Sequence, residues 1–84
     1  MTTPTIHRNG TAAKDLLEGY AEACSKVREA IEAVARAGPN ARDYYPQGLQ
    51  AFMMAQEEHE LRLRRLQDVR KELEALAESV ADHV

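Results

Sequence analysis

Two prolines and two glycines interrupt the middle of this chain, and no other feature limits its fold as strongly. Proline holds its own backbone torsion and biases the preceding residue away from the helical region, so Pro39 and Pro46 exclude one continuous helix. The segments on either side are rich in Ala, Glu, Leu and Arg, which are strong helix formers. The sequence therefore predicts an all-α single domain, a hairpin of two antiparallel helices joined by a loop over residues 38–48.

The first helix is predicted over about residues 11–37. Its apolar residues alternate steps of four and three, which places them on one face of a helix that packs against a neighbour. This stripe contains Ala13, Leu17, Tyr20, Cys24, Val27, Ile31 and Val34. Thr11 is the expected N-cap because its hydroxyl can accept a hydrogen bond from the first turn. Gly38 is expected to follow the end of the helix as its C′ residue.

The second helix is predicted over about residues 47–82, beginning between Pro46 and Leu49 because proline suits the first helical position. Its stripe contains Phe52, Gln56, His59, Leu63, Leu66, Arg70, Leu73, Ala77 and Val80. At ~1.5 Å per residue this helix is ~12 Å longer than the first. Residues 1–10 are predicted to form an extended arm, anchored by Ile6, that covers the excess length.

Two antiparallel helices form a seam but do not enclose a core, so part of each apolar stripe would stay wet in a single copy. Apolar surface of that extent usually marks an association site. The single cysteine also excludes an internal disulfide that could stabilise so small a chain. A homodimer that forms a four-helix bundle is therefore predicted. The self-association stripe contains Leu17, Tyr20, Val27, Ile31, Phe52, Leu63, Leu66 and Leu73.

Charge and hydropathy limit the remaining function classes. The net charge is −3, and acids and bases are mixed along both helical segments, which argues against general phosphate binding. The first residues lack the apolar centre of a signal peptide, and no apolar run is long enough to cross a membrane. We therefore expect a cytoplasmic protein without a membrane partner.

The acidic cluster around His59 is the first candidate for a metal site. Carboxylate-bridged metal sites in helix bundles place Glu three residues before His. Gln56 occupies that position, and the first helix offers no inward His or carboxylate opposite it. No metal or other cofactor is therefore predicted. Gln56 and His59 are instead expected to form a polar layer hydrogen-bonded across the bundle, and pairing of two His59 rings across a dimer stays open.

Cys24 is the only thiol, and it lies on the first apolar stripe. A reactive thiol needs exposure and a nearby positive charge. Lys26 and Arg28 are expected to project from other faces, so Cys24 is expected to be a buried small apolar residue. No nucleophile, base and orienting group occur together in the sequence. No catalytic residue and no enzymatic activity are therefore predicted.

The one basic concentration lies on the second helix. It contains Arg62, Arg64, Arg65, Arg70 and Lys71. A row of basic residues on one helix face can reach phosphates. Glu58 stands four residues before Arg62, and Glu60 stands four residues before Arg64, so two ion pairs are expected on a solvated face. Arg65 and Arg70 lack such a partner. Nucleic acid is therefore an unfavoured partner, and the basic face is kept as an alternative binding surface.

The loop over residues 38–48 is longer than most connections between bundle helices. Tyr44 or Tyr45 could cap the end of the seam, with Asp43 bonded to nearby backbone N–H groups. The stretch could instead be a recognition surface, because Tyr and Arg are enriched where protein partners dock. The candidate partner-binding residues are Arg42, Tyr44 and Tyr45. Both interpretations stay open, and each tyrosine could serve a different one.

The arm contains the motif Ile6-His7-Arg8-Asn9-Gly10-Thr11, and the loop contains the motif Pro39-Asn40-Ala41-Arg42-Asp43-Tyr44-Tyr45. These two motifs resemble those of small uncharacterised phage and prophage proteins. The resemblance implies a phage or prophage origin and a protein of the host cytoplasm, encoded in or near the virion-assembly genes. It implies no activity and no catalytic residues.

Together these features predict a non-enzymatic, self-associating structural or accessory protein of phage type. Its predicted location is the host cytoplasm, and it could also be associated with the virion. Its stripe would carry assembly, and its loop and arm would carry any specific contact with a phage or host protein. The alternative is a small regulatory module that binds nucleic acid or a host protein through the basic face of the second helix.

Overall fold

The protein is an antiparallel hairpin of two long helices. The computed structural model describes residues 1–84 and contains helix α1 over Ala13–Arg36 and helix α2 over Leu49–Ala81. The two helices pack against each other, and the chain contains no β-strand. The predicted all-α hairpin is therefore confirmed, and both helices lie within a few residues of their predicted bounds.

The molecule is a rod and not a sphere. Its extents are 62 × 20 × 17 Å and its Cα radius of gyration is 18.5 Å, whereas a compact domain of this length would have a radius of gyration of about 12 Å. The elongated shape follows from the architecture, because two helices side by side have no third layer to pack on. Neither helix has an apolar run that could span a bilayer.

Helix α1 begins two residues later than predicted. Ala12 is the N-cap, its backbone is extended, and it provides no side-chain oxygen for the first turn. The prediction that Thr11 caps the helix is therefore wrong, because Thr11 precedes the position from which a hydroxyl reaches the free N–H groups. Asp15 lies in the first turn, where the helix dipole favours a negative charge. At the other end Gly38 follows the C-cap without the positive φ usual for a C′ glycine.

Helix α2 begins at Leu49, at the late end of the predicted range. The sequence predicts Pro46 at the start of this helix, but Pro46 lies in a short 3-10 helix over Tyr45–Gln47. Gly48 connects this short helix to α2 with a φ of 98°, the one positive φ in the chain. Only glycine adopts this conformation readily, so Gly48 sets the direction in which α2 leaves the loop.

Two contacts define how the helices pair. His59 Nε2 lies 2.6 Å from the Val34 carbonyl oxygen, and Cys24 Sγ lies 3.9 Å from the Arg70 carbonyl oxygen. This register sets the first turn of α1 beside the last turn of α2, where Val80 is fully buried. Helix α2 has 33 residues and α1 has 24. The extra length of α2, ~13 Å, therefore extends beyond the C-terminal end of α1.

The loop, and not the N-terminal arm, covers the excess length of α2. Two short 3-10 helices, Ala41–Asp43 and Tyr45–Gln47, form the loop, and the second contacts α2. Tyr44 lies between them and packs its ring against Phe52, with the ring centroids 6.2 Å apart. The predicted role of the arm is therefore wrong, because the arm enters α1 at the opposite end of the hairpin.

Only three side chains are buried in a single copy. They are Ala13, Cys24 and Val80. The predicted self-association stripe is half-buried throughout, at Leu17, Tyr20, Val27, Ile31, Phe52, Leu63, Leu66 and Leu73. In α2 the half-buried Ala55 takes the place predicted for Gln56, which is exposed. Each stripe is therefore covered by the neighbouring helix on one side and open to water on the other.

Gly48→Ala should destabilise the fold, whereas Gly19→Ala should stabilise it. A side chain at the Gly48 φ of 98° is strained, at a cost of about 1–3 kcal/mol. Gly19 lies inside α1 with no atom within 4 Å of an added Cβ, so alanine should raise the free energy of unfolding by about 1 kcal/mol. Urea denaturation at one fixed protein concentration measures both. Changes of the same sign in the two variants would contradict these backbone assignments.

Candidate functional site

His59 connects α2 to the end of α1. Its Nε2 lies 2.6 Å from the carbonyl oxygen of Val34, in the last turns of α1. Gln56 is exposed and does not join this contact. The predicted hydrogen bond of His59 across the helices is therefore confirmed, whereas the predicted place of Gln56 beside it is wrong, because the stripe passes through Ala55 and leaves the glutamine on the solvent side. No three His, Cys, Asp or Glu side chains of the chain converge in a way that could hold a metal ion.

Cys24 lies in a shallow groove on one side of the hairpin. The groove is lined by Ala21, Cys24, Arg28, Glu74, Ala77 and Glu78. Cys24 is 6% exposed, and its thiol lies 3.9 Å from Glu74 Oε1. Its burial agrees with the prediction. The expectation that Arg28 projects from another face is wrong, because Arg28 stands one helical turn after Cys24 and reaches the same carboxylate.

Glu74 is the centre of the polar contacts between the helices. Its Oε1 accepts a hydrogen bond from Arg28 Nη2 at 3.1 Å and another from Arg70 Nη1. Arg70 Nε also donates to Gln67 Oε1 at 2.9 Å. The prediction that Arg70 lacks a partner is therefore wrong, since residues three before and four after it on a helix are its neighbours. We call the side of the hairpin that carries Arg28, Gln67, Arg70 and Glu74 the charged face.

The basic residues of α2 include both paired and free side chains. Arg62 lies 3.9 Å from Glu58, as predicted, and both side chains are more than half exposed. Arg64 has no ion pair with Glu60 or with any other acid within 4 Å, and Arg65 is also free. The predicted Glu60–Arg64 pair is therefore wrong. Both side chains are exposed, and in water such a pair gains too little to hold two flexible side chains together.

Asn40, and not Asp43, organises the loop backbone. Asn40 Oδ1 accepts a hydrogen bond from the Arg42 N–H at 3.2 Å and caps the first 3-10 helix. Asp43 lies inside that helix, and its side chain is exposed. Asparagine side chains commonly bond the backbone two residues ahead, which is the geometry seen here. The predicted capping role of Asp43 therefore belongs to Asn40.

The two tyrosines of the loop have different surroundings. Tyr44 is half-buried against Phe52, whereas Tyr45 is 73% exposed. Between them and the first turn of α2 lies an apolar pocket of about 150 Å³, which also exposes Leu49. Arg42 is exposed in the same loop. Tyr44 therefore forms part of the structural corner, and Tyr45 and Arg42 face the solvent.

The side of the hairpin opposite the charged face carries mainly apolar residues along the seam. Leu16, Ala23 and Ala30 recur every seven residues on α1, and all three are half-buried. Val69 and Leu76 follow the same interval on α2, and Val69 is 44% exposed. We call these five residues the apolar face.

Two grooves show that the apolar and charged faces lie on opposite sides of the hairpin. Ala37 and Arg62 belong to the same seven-residue rows as the apolar face, and both line one groove at the loop end. Ala21 and Arg28 flank the α1 stripe on its other side, and both line the separate groove that contains Glu74. A seven-residue row stays on one side of a helix over these lengths, so the assignment extends along the whole seam.

Three residues of these surfaces are not among those predicted from the sequence, although two of them had local signals. Glu74 stands four residues after Arg70, a spacing that predicts an ion pair. Asn40 follows a proline at the start of a turn, which is a common position for side-chain capping. Ala55 had no local signal. Its place in the stripe depends on where α1 ends relative to α2.

Comparisons with known proteins give this chain no relative. No protein-family model matches it, and no curated protein and no solved structure matches it either. Its candidate function rests on the two faces, the loop and the basic residues of its own fold.

Tyr44→Ala should destabilise the hairpin, and Tyr45→Ala should leave its stability unchanged. Removal of the half-buried Tyr44 ring exposes Phe52 and should lower the free energy of unfolding by about 2 kcal/mol. Tyr45 is exposed, so its truncation should stay within about 0.5 kcal/mol of wild type. Tyr44→Phe is the control, and it should behave as wild type because the hydroxyl makes no hydrogen bond within the chain. Urea denaturation measures all three, and equal losses at the two tyrosines would contradict their different surroundings.

Proposed function

We propose that this protein is a non-enzymatic structural or accessory protein that acts as a self-associating helical hairpin. Two copies would pack their half-buried stripes together and form a four-helix bundle. The observation that carries the proposal is the small core: three of 84 residues are buried in a single copy. Chains of this size need a further source of stability, and association is the one that this chain can use without a disulfide.

The surface area of a single copy supports association. One copy exposes 6371 Å², whereas a compact monomer of this mass would expose about 5,000 Å². The excess of about 1,400 Å² per copy is larger than the ~800 Å² that each partner buries in a standard interface. An obligate homodimer buries more than that standard area. The excess therefore fits a permanent association between copies better than a transient contact.

The proposal extends to a phage or prophage context. It is supported by the resemblance of the arm motif, residues 6–11, and the loop motif, residues 39–45, to small phage proteins. The protein would then work in the host cytoplasm and could be carried into the virion. In that setting the bundle is the scaffold, and a phage or host protein is the partner.

The loop is the part of the scaffold proposed to make specific contacts. Tyr45 and Arg42 are exposed there, and both residue types are enriched among the residues that carry binding energy at interfaces. Tyr44 would act behind them, because its ring holds the loop against Phe52. The three residues proposed for partner binding therefore divide into two contact residues and one support.

Sedimentation equilibrium at micromolar concentration should give a species of twice the 9.4 kDa chain mass. The thermal midpoint should also rise with protein concentration, because association stabilises the folded state by mass action. Sedimentation equilibrium is chosen because it reports mass independently of shape, whereas a rod-shaped monomer can appear large in size-exclusion chromatography. A single 9.4 kDa species with a concentration-independent midpoint would refute self-association.

A second candidate function is a regulatory module that binds nucleic acid or a host protein through α2. The observation that favours it is the absence of an ion pair at Arg64 and Arg65, whose charges are therefore available. The net charge of −3 and the pairing of Arg62 and Arg70 weigh against it. We therefore place it behind self-association.

Heparin chromatography tests the second candidate. If α2 binds polyanions, the wild type should be retained at about 50 mM salt and released as the salt concentration rises. Arg64→Gln/Arg65→Gln should abolish that retention. Lys14→Gln/Arg36→Gln removes the same charge from α1 and should still bind the column as the wild type does. Elution of the wild type in the void volume at low salt would eliminate nucleic acid as the partner of this candidate.

A further inference from the structure

We propose that the second copy packs on the apolar face of the hairpin and leaves the charged face in water. This inference rests on the proposed self-association and adds to it the surface that is used. Both faces border the same half-buried stripe, so a second hairpin could close the seam from either side. The two faces differ in chemistry, and that difference selects between them.

Closure of the charged face would remove a cluster of ions from water. The side chain of Arg28 is 60% exposed there, and it shares the single carboxylate of Glu74 with Arg70. Glu78 lines the same groove, so an interface on this side would take four charged side chains out of water. The desolvation of these ions is unfavourable and opposes an interface on this side.

Closure of the apolar face would bury side chains without polar atoms. Val69 keeps 44% of its surface in water, and Leu16 and Leu76 are half-buried. Removal of apolar surface from water is the main driving force of protein association. The apolar face therefore gains from an interface, whereas the charged face loses.

The α1 half of the apolar face also permits close approach. Ala23 and Ala30 carry only methyl groups and are half-buried on this side. Helices with small residues at their contact lie at the short end of the usual separation of about 8–10 Å. A partner helix could lie close against α1 and beside Val69 of α2.

One charged residue, Arg62, stands in the α2 row of the apolar face. Its side chain is 55% exposed, and its guanidinium lies 3.9 Å from the exposed Glu58. An arginine can cover apolar surface with its stem while its charged end stays in water. The Arg62–Glu58 pair would therefore lie at the rim of the bundle and not in its interior.

Val69→Glu and Leu61→Glu form a matched pair that tests the face. Both residues lie on α2 and they are almost equally exposed, at 44% and 45%. Leu61 lies on the side turned away from α1, because it stands two residues from His59 and two from Leu63, both of which face the seam. Ala21→Glu adds the same charge to the charged face.

Sedimentation equilibrium of the full chain measures the dimer dissociation constant of each variant. Val69→Glu should raise the dimer dissociation constant on the order of 100-fold, because each interface would bury two unpaired carboxylates. Leu61→Glu and Ala21→Glu should stay within a few-fold of wild type. Circular dichroism checks that each variant keeps its helices, and Ala30→Glu repeats the test from α1 if Val69→Glu loses helicity.

The outcomes separate the face from the association itself. If Ala21→Glu dissociates the dimer while Val69→Glu and Ala30→Glu remain dimeric, the assignment of the apolar face is overturned and self-association stands. If the wild type is monomeric, the proposed function fails first. Dissociation by the two apolar-face variants alone supports the proposal.

Discussion

A helix with an apolar stripe needs neighbours on both sides of that stripe, and a hairpin provides only one. This constraint explains why Ala13, Cys24 and Val80 are the only buried residues and why the rest of the stripe remains half-exposed along the seam. The same constraint explains the excess surface, which is the strongest argument for association. A second copy would cover the half-exposed stripe and reduce the excess surface, because it adds the missing layer without a longer chain or a disulfide.

The unequal lengths of the two helices explain the loop. Helix α2 extends ~13 Å beyond the end of α1 and would expose its first apolar turns. Two 3-10 helices and the Tyr44–Phe52 contact cover that end, and Gly48 turns the chain back into α2. The structural requirement uses Tyr44 and leaves Tyr45 and Arg42 in solvent. The stretch therefore forms a corner through Tyr44 and leaves two exposed side chains for the proposed contact.

The charges of the hairpin are distributed so that its two sides are not equivalent. Glu74 collects Arg28 and Arg70 on one side, whereas the other side presents alanines, leucines and Val69. A symmetric dimer needs one self-complementary surface, and an apolar surface satisfies that condition more easily than a charged one. The difference between the sides follows from the pairing of the helices, since it is their register that brings Arg28 within reach of Glu74.

The sequence by itself determined the two helices, the break between them and the stripe, because apolar spacing, helix-forming composition and the two prolines act locally. It also predicted the Glu58–Arg62 pair from spacing within one helix. Only the tertiary structure decided which end of α2 stays unpaired, that Ala55 replaces Gln56 in the stripe, that His59 bonds the end of α1, and that Arg28 meets Glu74. Each of these depends on how far one helix slides along the other. That register is set by contacts between residues distant in sequence, which no local pattern contains.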